Sequence, residues 1–222
     1  MKNQYVSVST DPVKSENQCE SVLNYAKEVM SAGADFLHCD VMDGKFVPQK
    51  TIDERVVEFV NLNCLIPLDV HLMTANPQRT ILKYKRAGAN ILTVHFEAFK
   101  CKLKLKAALK KIRKLKMLSG LSIKPQTEVS EIENLLPLCD LVLVMSVEPG
   151  ESGQKFLENA NEKIEQLNLI RKQKNLNFKI EVDGGINAEI AKKIASKGAD
   201  IIVSGSYIFN AENKKEAINS LK

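Results

Sequence analysis

Short, β-rich apolar runs alternate along the chain with longer segments whose apolar positions recur at helical spacing. The short runs lie near residues 6–9, 35–41, 68–73, 91–95, 119–123, 141–146, 179–182 and 201–204. Their length and β-branched content predict strands. Helical patterns fill most of the intervals, with the second at 54–61, the third at 77–86, the sixth at 158–172 and the seventh at 188–196. Strands alternating with helices imply parallel pairing through right-handed crossovers. Eight such units of about 28 residues predict an α/β fold, a closed (β/α)8 TIM barrel smaller than the usual ~250 residues. A flavodoxin-like open sheet is the structural alternative, and it leaves some of the eight strands without a place.

A weak internal repeat agrees with the barrel. Ala32-Gly33-Ala34-Asp35, Ala87-Gly88-Ala89-Asn90 and Lys197-Gly198-Ala199-Asp200 each stand between a helical pattern and a strand. Each glycine suits the left-handed position that ends a helix. No linker or low-complexity stretch interrupts the 222 residues, so one catalytic domain over 1–222 is expected.

Composition narrows the class only modestly. The 44% of hydrophobic residues suffices for a buried core, and no apolar run is long enough to cross a bilayer. The opening Met1-Lys2-Asn3-Gln4-Tyr5 lacks the apolar stretch of a signal peptide, which predicts a cytoplasmic protein without a membrane partner. Five scattered cysteines without a CxxC pair argue against a disulfide framework or a Cys-based zinc site. The net charge is +5, and nine basic residues fall within 100–116. Leu105, Leu109, Ile112 and Leu115 recur there at helical spacing, so the segment reads as an outer helix with a wet basic face. Few aromatics interleave, and no nucleic-acid partner is expected.

Candidate chemistry sits at strand ends. The chain has three histidines, His38, His71 and His95, each near the C-terminal end of a proposed strand. Residues two apart on a strand share a face, which pairs His38 with Asp40, Asp69 with His71 and Met73, and Glu181 with Asp183. A lone strand histidine is more often a packed core residue, and an Asp after a strand more often caps the next helix. The combination favours a shared site, because strand ends converge at one mouth of a barrel. Two imidazoles with carboxylates there can hold a divalent cation with open positions. His95 reads as a rim or supporting residue, and Cys39, offset by one, as facing the helices.

Asp183-Gly184-Gly185-Ile186 and Ser204-Gly205-Ser206 follow the seventh and eighth strands. Barrel enzymes bind phosphate between these two loops, and glycine lets backbone N–H groups approach an anion. Pro149-Gly150-Glu151-Ser152-Gly153-Gln154, after the sixth strand, reads as a loop that can close over substrate, or as an ordinary turn.

With these residues placed, the chain resembles the ribulose-phosphate 3-epimerase family. The match rests on five segments: His38-Cys39-Asp40-Val41-Met42-Asp43-Gly44-Lys45-Phe46-Val47-Pro48; Leu68-Asp69-Val70-His71-Leu72-Met73; Met145-Ser146-Val147-Glu148-Pro149-Gly150 with Gly153-Gln154-Lys155-Phe156; Glu181-Val182-Asp183-Gly184-Gly185-Ile186; and Val203-Ser204-Gly205-Ser206. They run in the family's order from about residue 32 to 209. The resemblance implies a barrel of the ribulose-phosphate-binding type, one divalent metal ion (Zn, Fe, Mn or Co), a small-molecule phosphosugar substrate and a homo-oligomer. It implies metal ligation by His38, Asp40, His71 and Asp183, with Asp40 and Asp183 as the acid–base pair. It further implies substrate contacts from Ser9, Met42, His71, Met73, Met145, Gly150, Gly153, Gly184, Gly185, Gly205 and Ser206. Three positions depart from the family pattern: Thr10-Asp11-Pro12 after the first strand, Glu151-Ser152 in the sixth loop, and Lys124 after the fifth strand.

The implied activity interconverts D-ribulose 5-phosphate and D-xylulose 5-phosphate, a step of the pentose phosphate pathway. Inversion beside a carbonyl needs a proton to leave one face and return on the other, which two opposed carboxyl groups can do. A metal would favour their ionised forms, while mutual repulsion raises one apparent pKa. Asp69 is expected to orient His71 or to serve folding. The alternatives are a D-allulose-6-phosphate 3-epimerase and a non-catalytic phosphosugar-binding barrel. A barrel decarboxylase would need an Asp-x-Lys-x-x-Asp site, which no strand is followed by.

Overall fold

The computed structural model describes residues 4–222; residues 1–3 of the opening Met1–Tyr5 segment lie outside the described residues. Eight strands close into one parallel barrel in sequence order. They are β1 (Tyr5–Ser9), β2 (Phe36–Met42), β3 (Leu68–Met73), β4 (Ile91–His95), β5 (Leu118–Ile123), β6 (Leu141–Met145), β7 (Lys179–Asp183) and β8 (Ile201–Ser204). Closure is direct, with Tyr5 to Val8 of β1 in register with Ile201 to Ser204 of β8. That closure excludes the open-sheet alternative.

Nine helices accompany the strands among the described residues: α1 (Gln18–Ser31), α2 (Glu54–Asn63), α3 (Ile81–Arg86), α4 (Lys102–Lys114), α5 (Val129–Ile132), α6 (Asn159–Gln173), α7 (Ala188–Lys197), α8 (Ser206–Phe209) and α9 (Lys214–Ser220). Strand side chains alternate between two cores. Val8, Cys39, Val70, Val94, Val142 and Val182 point outward and pack with the inner faces of the helices. Ile91, Leu141, Leu143 and Ile201 point inward and plug the barrel below the site. Cys39 therefore does face the helices. In α4, Leu105, Ala108, Leu109 and Ile112 are buried, which leaves its lysines at the surface. The five cysteines form no disulfide.

Gly33, Gly88 and Gly198 all take positive φ, at 98°, 96° and 118°, and end α1, α3 and α7 as the repeat implied. The third helical run is shorter than its pattern. Residues 77–79 form a 3-10 turn closed by the Thr80 N–H and hydroxyl on the Pro77 carbonyl, and α3 begins only at Ile81. Between β5 and β6 the crossover is a one-turn α5 and a 3-10 segment containing Pro137. No helix among the described residues is long and apolar enough to cross a membrane.

Candidate metal and acid–base site

Parity within each strand and register between strands together build the site. In β2 and β3, His38 pairs in register with Asp69, and Asp40 with His71. Neighbours across parallel strands are about 4.8 Å apart, nearer than residues two apart on one strand. Hence Asp69 supports His38, not His71 as the sequence suggested: Asp69 Oδ2 lies 2.6 Å from His38 Nδ1 and accepts the Ser7 hydroxyl at 3.0 Å.

His38 Nε2, His71 Nδ1 and Asp40 Oδ1 form a triangle with edges of 3.4, 3.3 and 3.4 Å. Donor atoms around a tetrahedral cation, bound at about 2.0–2.1 Å, stand apart by about this much. Asp183 completes a group whose donor atoms all lie within 4.8 Å of one another. The donor set, two imidazoles and two carboxyls, suits a borderline divalent cation, so these four residues can hold one.

The two aspartates are driven apart in acidity. Burial would raise the Asp40 carboxyl, but His38 and His71 outweigh it and hold Asp40 far below the usual carboxylate range. Burial and then the Asp40 charge push Asp183 up to about 7. Burial disfavours a charged His38, yet Asp69 and Asp40 reverse this and raise its pKa well above normal. Burial lowers His71. Near neutrality the cation-free site therefore holds Asp40 ionised, His38 as imidazolium, His71 neutral and Asp183 about half protonated. Beneath it, burial and the Asp69 charge raise the Glu181 carboxyl well above the usual carboxylate range.

Above this group opens a cleft of about 540 Å³, including its solvent-open part. Ser9, Asp40, Asp183, Met42, Met73 and Met145 form its floor and walls. Gly150, Gly153, Gly184, Gly185, Gly205 and Ser206 line it from the loops after β6, β7 and β8. Gly185 is required by its surroundings: φ is 63°, and a Cβ would stand 2.5 Å from the Gln154 oxygen and Phe156 nitrogen. The model of the Ribulose-phosphate 3 epimerase family matches residues 13–209.

The chain belongs to the ribulose-phosphate 3-epimerase family. It is 40% identical over 200 residues to the ribulose-phosphate 3-epimerase of Bacillus subtilis, covering 90% of this chain and 91% of that one. It is 41% identical to the chloroplastic ribulose-5-phosphate-3-epimerase of Arabidopsis thaliana over 88% of this chain and 69% of the relative. A match to the Chlamydia muridarum ribulose-phosphate 3-epimerase covers 99% of this chain at 36% identity. Among solved structures, a 3-hexulose-6-phosphate synthase superposes with a TM-score of 0.73 at 16% identity, covering 98% of each chain. At that identity the likeness speaks for the fold alone.

Within this epimerase-family site, every residue expected to contact substrate lines the cleft except His71, which has no exposed surface and lies beneath the floor. Ser9 belongs there despite the unusual Thr10-Asp11-Pro12: its hydroxyl donates to Asp40 Oδ2 at 2.7 Å and accepts the Asp11 N–H. The Glu151 carboxylate of the sixth loop accepts from Gln49 Nε2 at 2.8 Å, tying that loop to the one after β2. Lys124 does not line the cleft; its ammonium lies 4.5 Å from the centre of the Phe46 ring.

Three contributors were not foreseen. Thr51 donates to the Asp40 carbonyl and accepts the Met42 N–H, fixing the end of β2. Ser146 donates to the carbonyls of Asp183 and Gly184 at 2.8 and 2.7 Å, fixing the start of the glycine loop. Glu97 bonds His95 from two residues away. Only Glu97 carried a signal, as the acidic residue beside the third strand-end histidine.

Proposed function

We propose that this protein is a divalent-metal-dependent 3-epimerase that interconverts D-ribulose 5-phosphate and D-xylulose 5-phosphate. The observation that carries the reading is the convergence of Asp40 and Asp183, two carboxyl groups whose surroundings push their acidities apart, with His38 and His71 in one group at the floor of the cleft. Paired groups whose acidities are pushed apart suit acid–base chemistry at one carbon. In this scheme one aspartate removes the C3 proton from one face of the sugar while the other delivers a proton to the opposite face. Their roles exchange with the direction of reaction, so the pair titrates as a unit.

His38, Asp40, His71 and Asp183 would hold the cation, which when bound supplies Lewis-acid stabilisation of negative charge developing on the sugar oxygens. Asp69 keeps the His38 ring oriented for that role. Met42, Met73 and Met145 give the reacting carbon a polarisable wall without a competing proton donor. Ser9 holds Asp40 through its hydroxyl. Among the described residues, none accepts a hydrogen bond from the backbone N–H of Gly184, Gly185, Gly205 or Ser206. These four groups are assigned to the substrate phosphate. The chain is read as one catalytic domain acting in the cytoplasm as a homo-oligomer.

The test is a coupled assay for xylulose 5-phosphate on metal-replete protein in deuterium oxide. Turnover with solvent deuterium appearing at C3 is expected. Epimerisation that retains the original C3 hydrogen would sink the two-aspartate scheme. A higher kcat/KM on allulose 6-phosphate would reassign the substrate.

A further inference from the structure

A neutral imidazole carries one N–H and one lone pair, and its second hydrogen bond reveals which nitrogen holds the proton. His71 Nε2 and His95 Nε2 lie 2.8 Å apart, with neither ring exposed. A bond at that distance needs one N–H and one lone pair. Glu97 decides between them. Its Oε1 already accepts the Lys124 N–H at 2.8 Å and the Thr127 hydroxyl at 2.5 Å. Its Oε2 lies 3.1 Å from His95 Nδ1. Burial opposes the charged form of Glu97, but His95 and these donors hold its carboxyl down at about 2, so it can only accept.

The proton positions then follow in order. His95 Nδ1 carries its hydrogen toward Glu97, leaving a lone pair on His95 Nε2. His71 Nε2 must donate to that lone pair. His71 Nδ1 is therefore left with a lone pair, and this is the atom 3.3 Å from Asp40 Oδ1 and 3.4 Å from His38 Nε2. We propose that His95 and Glu97 are positioning residues that lock His71 in its Nε2–H tautomer, so that Nδ1 is the atom it offers to the cation. A ring column keeps the relay in place. His71 and His95 stack with centres 4.9 Å apart, Phe46 packs on His95 at 4.8 Å, and the Lys124 ammonium caps Phe46 from 4.5 Å. Lys124, one of the departures from the family pattern, thus serves the relay twice, through its backbone N–H on Glu97 and its ammonium on Phe46.

The inference rests on the metal reading above, and its test separates the two. The protein is labelled with 15N-histidine, and long-range proton–nitrogen correlation spectra are recorded without metal and with one equivalent of Zn²⁺. His71 is expected as the Nε2–H form in both, with Nδ1 shifting on zinc binding. His95 is expected as the Nδ1–H form. Zinc affinity is measured by chelator competition for the wild type, His95→Phe and His95→Gln. Phe fills the column but cannot accept a hydrogen bond, and zinc affinity should fall about 10- to 100-fold. Gln places an acceptor near the position of Nε2 and should restore most of the loss.

Finding His71 as the Nδ1–H form, or His95→Phe binding zinc as tightly as wild type, would overturn the relay and leave the metal site standing. A wild type that takes up no zinc, cobalt or manganese would overturn the metal reading. The spectra of the metal-free wild type still decide the tautomers, even if His95→Phe does not fold.

Discussion

Asp69 and His38 face each other in register on β3 and β2, joined by a 2.6 Å hydrogen bond with neither side chain exposed. The carboxylate orients the ring and leaves Nε2 directed at Asp40 and His71. In Asp69→Asn the charge is lost and the amide can turn its NH2 toward the ring. Divalent-metal affinity should fall about 10- to 100-fold, as when a carboxylate behind a ligating imidazole is removed. Chelator competition measures this, and an unchanged circular dichroism spectrum would show that the barrel persists. Full metal affinity in a folded Asp69→Asn would refute the supporting role.

Asp183→Asn removes the carboxyl group whose pKa is pushed up to about 7. Net epimerisation should drop by about 10²- to 10⁴-fold, the usual worth of a positioned acid or base. With Asp40 intact, one of the two epimers should still exchange its C3 hydrogen with solvent, while the other should not. Proton NMR of each sugar in deuterium oxide reads this directly. Equal exchange of both epimers would mean that Asp40 serves both faces.

Strand parity alone placed His38 with Asp40, Asp69 with His71 and Glu181 with Asp183 on inward faces, because a two-residue period needs no knowledge of neighbours. It could not assign Asp69 to His38, since that depends on the stagger between β2 and β3. The His71–His95 contact was hidden for the same reason. Ser146 and Thr51 act through backbone carbonyls, and nothing in their sequence context distinguishes them from ordinary turn residues. The 3-10 segment containing Pro137 lacks any single period. The lysine of α6 that enters the core, Lys163, looks like any solvated helix position.

Metal uptake should be proton-linked with a defined sign. Before binding, His38 is charged and Asp183 titrates at about 7, while Asp40 is already ionised and His71 already neutral. Ligands must bind deprotonated. About two protons should therefore be released per cation at about pH 6, falling toward about one at about pH 8 as Asp183 loses its own proton. Apparent affinity rises with pH across that interval. Calorimetry in buffers of different ionisation enthalpy counts the protons, and release independent of pH would contradict the acidity assigned to Asp183.

Lys163 ties a loop to α6. Its side chain is buried, and its ammonium donates to the carbonyls of Pro125 at 2.8 Å, of Lys124 at 3.3 Å and of Thr127. Lys163→Met fills the space but leaves these carbonyls short of a donor. The substitution should destabilise the fold by about 2–4 kcal/mol, since hydrogen bonds from charged groups are worth more than neutral ones and buried orphans are costly. Urea unfolding measures it. A loss below about 0.5 kcal/mol would show that the carbonyls find water instead.

Glu151 puts a negative charge on the rim of a cleft assigned to an anionic sugar phosphate, and among the described residues only the neutral Gln49 amide binds its carboxylate. Its side chain is exposed, so water and salt screen its field. The contact with Gln49 also joins two loops on the rim, and the substitution must separate charge from connection. Glu151→Gln keeps the length and an acceptor oxygen while removing the charge. KM for the phosphosugar should fall about 2- to 5-fold with kcat little changed, in line with a weak, solvent-screened repulsion, and the gain should shrink as salt rises. Gln49→Ala keeps the charge and breaks the tie, so it should raise KM instead. If Glu151→Gln also raised KM, the connection between the loops would outweigh the repulsion, and this carboxylate would be a fastening on the rim more than a barrier to substrate.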